Sequence, residues 1–189
     1  VDATGNFSDN PVAAGCRYFF NSRCRAQLKM EIAAQFERFE KTGLAMDHLN
    51  GHLHFHLHPA VFAILKRQKI PRVRLTRDPF WLNARLASGR WFYRASHAFI
   101  FAILSAGARK RLGPAGMRSP KWVFGLLQNA LVDESFILRL LPQLPDGDSE
   151  LYSHPSLDEF KNEFDALVSP AVRQRIHELD IQLIRYSDL

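Results

Sequence analysis

From His52 to His58 a histidine occupies every second position, and Leu53, Phe55 and Leu57 fill the places between. Side chains alternate across an extended strand. That period predicts a strand over residues 45–57 with His48, Asn50, His52, His54, His56 and His58 on one face and Leu49, Leu53, Phe55 and Leu57 on the other. Imidazoles titrate near neutrality and ligate metals, so such a face is expected to meet solvent, a metal or a substrate. Pro59 follows at once and is suited to the first position of a helix. A strand that passes directly into a helix is the junction at which α/β folds carry their sites.

The rest of the chain fits that reading. Leu28, Ile32, Phe36 and Phe39 fall near helical spacing over 23–41, with Gly43 as a stop. A short helix is expected at 59–66 and a helix at 91–111, the second aromatic at its start and basic at its end. Brief strands are expected at 72–75, 123–126, 150–154 and 181–184. Asp133 is placed to cap a helix through Phe136, Ile137 and Leu140. Ser156 with Glu159 has capping-box spacing, and Ser169-Pro170 opens a further helix. Strands that alternate with helices argue for a parallel α/β sheet or barrel, and no repeat or linker divides residues 1–189, which are expected to form one domain.

Composition narrows the class further. At 189 residues with 47% hydrophobic and 23% charged positions, the chain is long enough for a substantial core. Cys16 and Cys24 make neither a disulfide framework nor a paired zinc signature, so a reducing cytoplasm is the expected location. The most apolar run, 98–106, is too short to span a bilayer. The net charge of +6 is concentrated around 66–77 and 109–121. Such patches suit phosphorylated substrates or anionic headgroups, and no nucleic-acid motif accompanies them, so nucleic acid is not an expected partner. Aromatics at Trp91, Phe92 and Tyr93 are expected mainly in the core, or else as part of a peripheral contact with the inner membrane face.

Asp47-His48-Leu49-Asn50-Gly51-His52-Leu53-His54-Phe55-His56 resembles the signature of YdjC-like carbohydrate deacetylases, more narrowly those associated with hopanoid biosynthesis. Ala14-Gly15-Cys16-Arg17-Tyr18-Phe19-Phe20, Gln27-Leu28 with Glu31-Ile32 and Gln35-Phe36, Val123-Phe124-Gly125-Leu126 and Tyr152-Ser153-His154-Pro155 extend the resemblance over nearly the whole chain. The resemblance implies an irregular (β/α) barrel of polysaccharide-deacetylase type. It implies removal of an N-acetyl group from an amino sugar, in the narrower form one on a hopanoid glycolipid, with a divalent metal, Zn or Mg. His52 is then the metal-binding histidine and His154 the general acid. Arg74 belongs to an element shaping the substrate site, although Thr76 replaces the family's proline. Asn50, His54 and His56 would orient substrate.

The family also carries an early Asp-Asp-Phe-Gly strand and a later Gly-Leu-His element, and neither occurs here. The expectation is therefore the C-terminal part of a barrel lacking its first strands, incomplete for catalysis by itself. The alternative is a truncated, non-catalytic relative that binds metal, lipid or a partner protein. A homo-oligomer is compatible with either.

Overall fold

The computed structural model describes residues 11–86, 89–128 and 130–189. The fold is mixed α/β, mostly helical with a small parallel sheet. The chain divides into two compact units, Val1–Arg74 with Ala106–Arg118, and Leu75–Ser105 with Ser119–Leu189.

In the first unit, helices α1 (Pro11–Phe20), α2 (Ser22–Glu40) and α3 (Pro59–Leu65) pack on one another. Asn21 separates the first two and caps α2, its side chain accepting the Cys24 N–H at 3.0 Å. The apolar period read from the sequence places Leu28 and Ile32 in the core, where they are buried. Leu57, Val61, Phe62, Leu65, Ile70 and Val73 are also buried. Among the described residues of this unit, extended segments meet through isolated parallel bridges, Leu49 to Val73 and Arg72 to Arg118. The strand expected at 72–75 is reduced to these two links.

The expected histidine strand is absent. Only Leu49 bridges, and His52–Leu57 forms a tight 3-10 turn broken by left-handed backbone at Leu53 (φ 50°) and His54 (φ 58°). Two successive non-glycine residues in that region cost roughly 1–2 kcal/mol each. The turn is held because His56 bonds backbone on both sides of it, as described below. A one-face alternation therefore does not exist here: His54, His56 and His58 are buried, while Leu53, assigned to the apolar back, is 55% exposed.

The second unit contains α4 (Phe80–Leu86), the greater part of α5 (Trp91–Leu112), β1 (Trp122–Phe124), α6 (Glu134–Leu140), β2 (Ser149–Leu151), α7 (Lys161–Val168) and α8 (Pro170–Glu178). Strands β1 and β2 pair in parallel, with Val123 opposite Glu150. Phe124, Val132, Phe136, Ile137, Leu140, Ala166 and Val172 form the core beside them. Asp133 caps α6 as expected, its Oδ1 accepting the Phe136 N–H at 2.7 Å, and Ser169 caps α8 through Ala171 and Val172.

Other expectations needed correction. Helix α7 starts at Lys161, because Ser156 Oγ takes the Phe160 N–H in a preceding turn and does not open the helix. Residues 181–184 carry no strand, and Leu183 is 77% exposed, so no neighbouring strand buries their apolar side chains. Helices α1 and α4 had no counterpart in the sequence reading.

Candidate functional site

Within the first unit, α1, α2 and the histidine turn enclose a cavity of about 490 Å³. Leu28, Ile32 and Phe36 give it an apolar wall, and Glu31, Asn50, His52 and His56 supply polar groups. The structure thus brings three of the expected residues, Asn50, His52 and His56, to one concave surface. Asn50 and His52 are exposed. Pockets of this size with a few convergent polar groups are the usual form of a small-ligand site.

The imidazoles of the tract do different work. His56 Nδ1 accepts the Gly51 N–H at 3.0 Å, which leaves Nε2 to carry the proton donated to the Arg74 carbonyl at 2.7 Å. Both nitrogens are committed, and the ring acts as a strut between the turn and the 72–74 segment. Arg74 is fixed at its backbone by this bond and by its N–H to the Leu49 carbonyl. His58 is committed in the same manner, accepting from Ala60 N and donating to the Gly15 carbonyl at 3.2 Å. Desolvation lowers the His58 pKa from its ordinary value, favouring this neutral form. His54 is buried with its ring 6.2 Å from that of His56.

Asp47 is anchored by Arg72, whose guanidinium lies 3.6 Å from Oδ1, and its Oδ2 lies 3.4 Å from His48 Nδ1. Among the described residues no three His, Cys, Asp or Glu side chains gather as a metal-binding group. A catalytic zinc usually takes three protein ligands. His52 alone does not fit that requirement, and His56 has no lone pair left to add.

Glu31 and Gln35 were not among the expected site residues, yet both line the cavity, joined by a hydrogen bond from Gln35 Nε2 to Glu31 Oε1 at 2.9 Å. The signal was available. Leu28, Glu31, Ile32 and Gln35 lie at helical spacing on the cavity-facing side of α2, where an acid and an amide interrupt an apolar stripe.

His154 belongs to the second unit, where it is exposed just beyond β2. The Tyr152 hydroxyl lies 2.6 Å from its Nε2. Its backbone N–H donates to Glu163 Oε2, while Glu163 Oε1 accepts the Val132 N–H at 3.1 Å. Glu163 is fully buried. The sequence reading missed it because a glutamate on the inward face of a short helix reads as a solvated charge.

Asp78, also in the second unit, accepts the Leu127 N–H at 3.1 Å, and burial pushes its carboxyl up to about 7 from 3.8. Between those values the folded chain holds a proton that the unfolded chain has released. Stability from this group is therefore complete below pH 3.8 and falls as pH rises to about 7. Asp78→Asn is expected to remove this slope, which in the parent should lower Tm by on the order of 10 °C across the window. Thermal melts at matched pH steps check it, and parallel slopes in the two proteins would refute it.

Comparison with known proteins places this geometry in context. A family described as YdjC-like protein matches residues 1–178. No curated protein matches the chain. A crystal structure from Enterococcus faecalis V583, described as a "putative cellobiose-phosphate cleavage protein", is similar to it with a TM-score of 0.56 and 18% identity, over 87% of this chain. The match covers 60% of the Enterococcus chain, so the present chain corresponds to less than two thirds of that protein.

Proposed function

The chain belongs to the YdjC-like protein family, and from that membership we propose that it is part of a carbohydrate deacetylase with an irregular (β/α) barrel. Its substrate would be an N-acetylated amino sugar, in the narrower form an acetylglucosaminyl hopanoid lipid. The observation that carries the reading is the Asp47–His56 signature set on a cavity of about 490 Å³. An apolar wall with Asn50 and His52 at the rim suits the flat apolar face and the acetamido group of such a sugar.

In this proposal Asn50 and His52 orient the acetamido group, while the Arg74 segment, held by His56, shapes the surrounding wall. From the resemblance alone, His154 of the second unit is proposed as the general acid for the departing amine; within that unit the Tyr152 hydroxyl lies 2.6 Å from its Nε2. Of the donors that a divalent ion, Zn or Mg, would need, the described residues offer no set of three around His52.

A second reading is favoured by that incomplete donor set: a family member that binds an N-acetyl sugar and does not hydrolyse it. Acetate release from N-acetylglucosaminyl lipid, with added Zn or Mg, separates the two. The enzyme reading expects slow release that His52→Ala reduces by about 100-fold or more, the scale typical of losing a catalytic or positioning group. Saturation-transfer NMR of the sugar on the protein without acetate release would select the binding reading.

A further inference from the structure

Helix α5 is apolar almost all round, and an all-apolar helix is normally covered on every side. Here Arg94, Ser105, Ala108 and Leu112 are buried, whereas Phe92 is 85% exposed, Phe99 69% and Ile103 57%. Positions 92, 99 and 103 share one helical face, and Lys110 continues the same line. Trp81 on α4 and Trp91 enlarge the patch, for Phe80 packs edge-on against both, with ring centroids 5.3 and 5.8 Å away. Contiguous apolar patches of this kind mark interaction surfaces.

Charge identifies the occupant. From Pro79 to Val132 the chain has no aspartate or glutamate and eight arginines and lysines. Arg109, Lys110 and Arg111 are exposed in the last turn of α5, and Arg85 and Arg90 are exposed beside the two tryptophans. A second copy docked face to face would set these cations against their own images. A surface of opposite charge with an apolar interior meets both requirements. No described helix is long and apolar enough to cross a membrane, so α5 would lie along the surface.

We propose that the exposed face of α5, with Trp81 and Trp91, seats the protein on an anionic lipid bilayer, aromatic rings at the level of the headgroups and the Arg109–Arg111 cluster over lipid phosphates. This inference uses the helix surface alone and does not depend on the deacetylase reading.

The test is co-sedimentation of the full chain with phosphatidylglycerol–phosphatidylcholine vesicles and with pure phosphatidylcholine vesicles, together with tryptophan emission. Binding to the anionic vesicles is expected, weakened by salt and accompanied by a blue shift of tryptophan emission. The combined Phe92→Ser, Phe99→Ser and Ile103→Ser variant should bind roughly tenfold or more weakly, with an unchanged thermal melt because all three side chains are exposed. Changing Arg109, Lys110 and Arg111 to Gln should weaken binding to anionic vesicles by about tenfold or more and flatten the salt dependence. Three results would overturn the proposal: no binding to anionic vesicles, equal binding by the serine variant, or a dimer in sedimentation velocity that the serine changes dissolve. The acetate assay is independent, so failure of either reading is seen separately.

Discussion

Gly125→Ala is expected to cost about 3–5 kcal/mol, a large share of the stability of an ordinary domain. Gly125 follows β1 directly and has φ +94°, where a side chain carries roughly 1–3 kcal/mol of backbone strain. A Cβ built there would stand 2.2 Å from the Tyr152 carbonyl oxygen and 3.2 Å from Val132 Cγ2. The first obstacle is backbone and has no rotamer by which to move aside. Tyr152 is itself held to β1 through its N–H on the Phe124 carbonyl at 2.8 Å. Relief of the clash therefore has to separate the two strands at the point where they lead toward His154. Urea unfolding of the two proteins checks the prediction, and a midpoint equal to that of the parent would refute it.

Glu163→Ala is the second large effect, at about 2–4 kcal/mol. The carboxylate accepts two backbone N–H groups, from Val132 and His154, which lie 31 and 9 residues away. Val132 is 1% exposed, so its amide would lose the Glu163 acceptor inside the core. An orphaned buried donor costs about 1–3 kcal/mol, and the vacated side-chain volume adds to it. Glu163→Gln should cost less, since one amide oxygen survives while the new NH₂ faces an N–H. Besides the melt, amide exchange at His154 gives a local readout: protection should fall in both variants. Unchanged protection in Glu163→Ala would show that the carboxylate does not hold the His154 backbone.

The elements that were legible in the sequence share one property: the signal was local. Asp133 and Ser169 mark helix starts through bonds to residues two or three positions away, Pro59 does so through its fixed φ at the first helical position, and the α2 stripe through Leu28 and Ile32 sets its own buried face. The histidine tract failed because its alternation is consistent with a strand only if a neighbour pairs along it. Leu49 alone finds such a partner, in Val73, and Gly51 then admits a tight turn that His56 locks from 18 residues upstream of the Arg74 carbonyl. Nothing in a two-residue period reports that distant bond. Within the candidate site, Asn50 and His52 were legible from the signature, whereas Glu31 showed only as a break in the apolar stripe of α2, and an acid on an amphipathic helix is ordinarily read as solvated. Trp91 and Phe92 reversed the usual preference of aromatics for the core, both being exposed.

The bond from His58 to the Gly15 carbonyl can also be weighed as loop closure, for it joins points 43 residues apart. Bringing the ends of such a loop together costs about 3 kcal/mol of chain entropy, while one neutral hydrogen bond returns about 1 kcal/mol. The remainder falls to the rings around it: Phe19 at 4.2 Å and Tyr18 at 5.8 Å from His58, and Tyr18 at 5.7 Å from Phe55. The first helix is thus fastened to the histidine turn by an aromatic clasp in which the imidazole sets the direction and its neighbours supply the grip.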